Sequence, residues 1–127
     1  MIEEGTNVMD KLRHRELAIW QRSMALAKAV YVLAKDFPAE ERYALCDQLR
    51  RAVVSVPSNI AEGSARQTAR DFRHFLGIAK GSLAEVDTQL VLAFELGYVA
   101  TLEEIEGEIL SLVKMINAFI TSLPITD

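Results

Sequence analysis

The sequence predicts an all-α protein, an antiparallel up-down four-helix bundle with a proline kink in its second helix. Three observations carry that expectation. Apolar residues recur at steps of three and four along most of the chain, with only three prolines and six glycines among 127 residues. These breakers divide the chain into four stretches of helical length. Half of the residues are hydrophobic and 25% are charged, which is enough for a core and too apolar for disorder.

The first helix is expected from about Leu12 to Asp36, with Asp10 as its N-cap and a core line of Leu17, Trp20, Met24, Ala27, Tyr31 and Ala34. Phe37–Pro38 ends it, because the residue before proline is pushed out of the helical region. Pro38 also suits the first position of the second helix, with Glu40 and Glu41 in its first turn. The second stripe is Leu45, Leu49, Ala52 or Val53, Val56 and Ile60, ending at Gly63 as a C-cap. Pro57 lies inside it, removes one hydrogen bond and should kink the helix without splitting it.

The third helix carries the most regular pattern. Thr68 is its expected N-cap, with Asp71 three residues on. Phe72, Leu76, Ala79, Leu83, Val86, Leu90, Ala93 and Gly97 then follow in alternating steps of four and three. The line Phe75, Ile78 and Ser82 widens this face. Thr101 and Glu104 read as a capping box opening the last helix. Its stripe is Leu102, Ile105, Ile109, Leu112, Ile116, Phe119 and Leu123, broadened by Val113 and Ile120 and stopped by Pro124. Residues 1–11 and 124–127 read as tails around a bundle domain of residues 12–123. The last helix offers more apolar face than one neighbour requires, so it serves either a thick core or a subunit interface.

Charge is unevenly spread. Residues 50–80 hold six basic and two acidic groups, whereas residues 81–127 hold one basic and eight acidic groups in a chain of net charge −4. Arg66, Arg70 and Arg73 are spaced to share one side of a helix that begins near Thr68, with Arg50, Arg51 and Lys80 nearby in sequence. Two readings stand: a phosphate-contacting patch, or a solvated face of intramolecular ion pairs. No helix-turn-helix, zinc-finger or RNA-binding sheet signature accompanies them.

Catalytic and metal chemistry find little to use. Asp71 and His74 make one near miss to the Glu-x-x-His pairs of di-iron bundles, without a second copy. Cys46 lies among core positions and reads as a small buried hydrophobe. A single cysteine excludes an intramolecular disulfide. Gly77 and Gly81 sit in mid-helix, where they are expected to permit close approach of a neighbouring helix. Pro57, Asn59, Glu62 and Gly63 form an unusual polar segment, whose Asn59 and Glu62 either bond the kinked backbone or line a polar opening. No catalytic residue, cofactor or metal is assigned. No apolar run approaches the ~20 residues of a membrane span. The segment MIEEGTNVMD lacks the basic and apolar regions of a signal peptide, so the cytoplasm is the expected compartment and no membrane partner is expected.

The run Gln48 to Gly63, with its Arg50-Arg51 pair and Pro57-Ser58-Asn59-Ile60-Ala61-Glu62-Gly63, is followed by Arg66, Phe72, Phe75-Leu76, Ala79 and Gly81-Ser82-Leu83-x-Glu85. Together with Leu17-x-x-Trp20, Phe37-Pro38-x-x-Glu41 and Leu96-Gly97-Tyr98, this ordered set resembles the family of four-helix proteins associated with intervening sequences of bacterial 23S rRNA genes. The resemblance covers roughly residues 12–120. It implies an antiparallel bundle assembled as a homopentamer, with no established enzyme activity. The family is also similar to the accessory protein of diversity-generating retroelements, a pentamer that binds nucleic acid and a reverse transcriptase through basic surfaces. The resemblance thus implies self-association, with RNA or DNA, or a reverse transcriptase or other protein, as partner. The alternative is a protein-binding scaffold whose arginines form intersubunit salt bridges.

Overall fold

Among the residues described by the computed structural model, 12–125, the chain forms four α-helices and no strand. They are α1 (Ala18–Ala34), α2 (Leu45–Ser64), α3 (Ala69–Glu95) and α4 (Glu103–Ser122). Short 3-10 turns, Arg13–Glu16 and Ala39–Glu41, precede α1 and α2. Each helix packs against the helices next to it in sequence, and α1 also packs against α4. Lys80 of α3 reaches Asn117 of α4, and Arg73 reaches the carbonyl of Pro124. Seven residues back along α3 therefore correspond to seven residues forward in the closing segment.

The α2 stripe is buried as expected, and so is the α3 line from Leu76 to Ala93, whereas Phe72 and Phe75 are half-buried and Ile78 and Gly97 are exposed. Leu49, Val53, Val56 and Ile60 meet Leu76, Leu83, Val86 and Leu90 in the core, all at 1% exposure or less. Truncating a leucine here to alanine costs about 2–5 kcal/mol. The α2 helix continues through Pro57, which is itself buried. In α4 the expected line holds at Leu102, Ile109, Leu112 and Ile116, while Val113 and Ile120 stay half-buried.

The first helix departs from expectation twice. It begins at Ala18, because Leu17 is extended (ψ 127°) and separates it from the Arg13–Glu16 turn. Gln21 ties that turn back by donating to the Arg15 carbonyl at 2.8 Å. The proposed N-cap Asp10 lies outside the described residues. The buried line is Ile19, Ser23, Leu26, Ala27, Val30 and Ala34, not the line through Met24 and Tyr31, both of which are exposed. Apolar residues are spread widely around this helix, so periodicity alone does not select the line that turns inward. The true one passes through Ser23, whose hydroxyl donates to the Ile19 carbonyl at 2.6 Å and so tolerates full burial.

Helix termini follow the same division between local and distant causes. Thr68 caps α3 by accepting the Asp71 amide at 3.0 Å, as the local sequence predicts. Gly97, at φ +84°, closes α3. Its amide reaches the Phe94 carbonyl and the Tyr98 amide reaches Ala93, the two bonds of a Schellman turn. Pro38 does not open α2: it leads only into the 3-10 turn, and α2 starts at Leu45, whose amide is taken by the Glu41 carboxylate at 3.3 Å. The α4 cap is Leu102, with Thr101 Oγ1 accepting the Glu103 amide at 3.3 Å. The capping box expected at Thr101 and Glu104 does not form, because the helix starts one residue later and Leu102 has no side chain that can cap it. Leu123 is extended before Pro124, which ends α4 where expected.

Gly63 is not a C-cap either, since α2 runs to Ser64 and Ala65 caps it. A Cβ at Gly63 would stand 2.8 Å from Phe72 Cδ1 and 2.9 Å from Phe75 Cβ. The residue is glycine because α3 crosses there too closely for a side chain. Gly77 and Gly81, expected to serve such an approach, face open space: a Cβ on either would meet nothing within 4 Å in the chain.

Candidate functional site

The six basic residues singled out from sequence point in several directions. Arg50 lies over the Tyr31 ring of α1, 5.6 Å from its centroid. Arg51 pairs with Asp47 one turn back at 3.2 Å, with 80% of its side chain exposed. Arg66 precedes the first turn of α3 and turns back to Glu62 at 2.9 Å, its guanidinium 4.8 Å from the Phe75 ring centroid. Arg70 is exposed on the first turns of α3. Arg73 donates to the Pro124 carbonyl at 2.6 Å, and Lys80 to Asn117 Oδ1 at 2.7 Å, both toward the α4 side. Arg66 and Arg73 are therefore not set on one helical face, because α3 begins only at Ala69. The most exposed of the group are Arg51, Arg66 and Arg70. Surface ion pairs such as Arg51–Asp47 and Arg66–Glu62 are worth about 0–1 kcal/mol, so an incoming anion can displace them.

The polar segment around Pro57 also divides. Asn59 donates through Nδ2 to the Ser55 carbonyl at 2.8 Å and to Ser55 Oγ at 2.9 Å. Ser55 Oγ in turn lies 2.8 Å from Ser82 Oγ on α3, joining the two helices through hydroxyls. The carbonyl that proline deprives of its donor is that of Val53, four residues before Pro57, so Asn59 serves a different carbonyl. Glu62 faces outward to Arg66 and does not join Asn59. Beyond this strip, a polar groove of about 260 Å³ runs between α2 and α3, lined by Gln48, Arg51, Ser55, Glu85 and Gln89 among others. Gln89 Oε1 is buried there with no hydrogen-bond donor. No site role is assigned from sequence to Gln48, Ser55 or Gln89. Their one signal was polar residues recurring beside apolar stripes, the common pattern of solvated helix faces.

Titratable groups elsewhere stand apart. Cys46 is buried and its thiol donates to the Ala34 carbonyl at 3.6 Å. His74 is exposed and packs edge-on to Phe75, while His14 packs edge-on to Trp20. Among the described residues, no group of three or more His, Cys, Asp or Glu is placed to hold a metal ion. No described helix is long and apolar enough to cross a membrane. The Tyr98 hydroxyl is held above its ordinary value of 10.0, first by its hydrogen bond to Glu41, then by burial and the charges of Glu41 and Glu40.

Large apolar side chains are also left uncovered. Val32 is 64% exposed, Leu110 56% and Leu96 51%, with Leu92 and Phe94 close behind. An apolar cleft of about 500 Å³ lies between α3 and α4, with Leu83, Ile109, Leu110 and Val113 in its lining. The arrangement offers docking surfaces and exchangeable cationic contacts. A sequence model described as "23S rRNA-intervening sequence protein" matches residues 15–118. No curated protein matches the chain at a significant level.

Proposed function

The chain belongs to the 23S rRNA-intervening sequence protein family, and on that footing we propose that it works without catalysis, as a homopentameric scaffold in the cytoplasm. In this reading each subunit is an antiparallel up-down bundle, bent in α2 at Pro57. The observation that supports assembly is the large apolar side chains left open to solvent on α1, α3 and α4, notably Val32, Leu92, Phe94 and Leu110. Exposed apolar surface of this kind marks a contact site. Size exclusion coupled to light scattering tests it directly: five copies of a 14.2 kDa chain give about 71 kDa. A stable monomer at micromolar concentration overturns the reading.

The scaffold's ligand, in the same proposal, is RNA or DNA held through its phosphates. The supporting observation is the exposure of Arg51, Arg66 and Arg70 on an otherwise acidic chain. Repeated around a ring, weak phosphate contacts combine through effective concentration. A second reading takes the arginines as protein contacts. What favours that scaffold over nucleic-acid binding is that Arg50 on the Tyr31 ring and Arg73 on the Pro124 carbonyl are engaged within the chain and not offered to phosphate.

A further inference from the structure

We infer that α1 of one copy docks into the α3–α4 cleft of the next, through its exposed line Met24, Lys28 and Val32. This inference rests on the self-association reading above and adds to it the two faces that meet.

The cleft has an apolar floor, Leu83, Ile109, Leu110 and Val113, with Asp87 and Glu106 also lining it. Its one cation, Lys80, is held toward Asn117 and keeps its charge, so with Asp87 and Glu106 the lining presents two carboxylates against one ammonium and is net acidic. At about 500 Å³ it accommodates side chains projecting from a helix laid across it. The complement exists on the same chain. The 17 residues of α1 contain Arg22 and Lys28 and no acidic residue. Arg22 is directed to Ser111, whereas Lys28 is exposed. Met24 and Val32 lie one helical turn to either side of Lys28, both exposed and apolar. A cation between two apolar side chains thus faces an apolar cleft with two carboxylates.

The charges also select against the symmetric alternatives. Cleft against cleft brings together two surfaces of net negative charge, and α1 against α1 two surfaces of net positive charge. The contact of unlike faces is the one complementary in net charge. Such a heterologous contact propagates head to tail, and it closes into a ring when the rotation permits, which a five-fold assembly requires.

Charge reversal with rescue tests the inference on the full chain. Lys28→Glu, and separately Asp87→Lys with Glu106→Lys, should each reduce the mass seen by light scattering to that of the 14.2 kDa monomer. Combining all three substitutions should restore the oligomer. Circular dichroism should show unchanged helix content throughout, since all three side chains lie outside the core. An oligomer indifferent to either reversal, or a triple variant that stays monomeric, overturns the interface while leaving self-association in place. A wild-type monomer overturns both.

Discussion

Tyr98 donates its hydroxyl to Glu41 Oε2 at 2.8 Å, while Oε1 of the same carboxylate accepts the Leu45 amide at 3.3 Å. One side chain thereby caps α2 and fastens the α1–α2 connection to the α3–α4 connection. The rings of Phe37 and Tyr98, 5.6 Å apart, pack beside it.

This contact gives the protein an alkaline sensitivity of known sign. Tyr98 titrates above 10.0 in the folded chain, so between the unfolded and folded values the native state holds the extra proton. The contact's stabilisation is complete below the unfolded value and is lost as pH rises through the folded one. Tyr98→Phe should lower the melting temperature at neutral pH and flatten its decline above about pH 10. Melting curves of both proteins across that range check this; parallel declines would remove the role assigned to Tyr98.

Gly63→Ala should destabilise the fold. The added methyl gains up to about 1 kcal/mol of helix propensity. It also drives into Phe72 Cδ1 and Phe75 Cβ at under 3.0 Å, and Phe75 Cβ cannot move without its backbone. Overpacking of this kind costs about 1–3 kcal/mol, so the net loss is on the order of 1 kcal/mol. Urea denaturation measures it, and an unchanged midpoint would mean that α3 yields at no cost.

Gly81→Ala should do the opposite. With nothing within 4 Å of the new methyl, only the propensity gain of about 0.5–1 kcal/mol remains. A raised melting temperature is expected, and a lowered one would place a neighbouring subunit against this face.

Nucleic-acid binding, if it works through displaced surface pairs, should weaken steeply with salt and show little sequence preference. Replacing Arg51, Arg66 and Arg70 by alanine should abolish it, with oligomer mass and helix content intact. Fluorescence anisotropy at two salt concentrations, on wild type and variant, measures this. Absence of wild-type binding at ~50 mM salt leaves the scaffold reading alone.

The sequence by itself determined what depends on near neighbours in the chain. Thr68 meets its Asp71 amide three residues away, Gly97 adopts the backbone that only glycine takes readily, and Leu49, Val56 and Leu83 stand out because polar residues separate the stripes. The family, too, was legible in the ordered residues from Gln48 to Glu85. Only the tertiary structure decided which apolar line of α1 turns inward, because apolar residues are spread widely around that helix and its true line includes Ser23. The roles of the glycines were decided the same way: Gly63 is fixed by phenylalanines of the next helix, and Gly81 is open. The arginines, alike in sequence, were sorted by whichever acid, ring or carbonyl the packing brought within reach. Spacing sets which side chains share a face, but only the approach of another helix settles what that face meets.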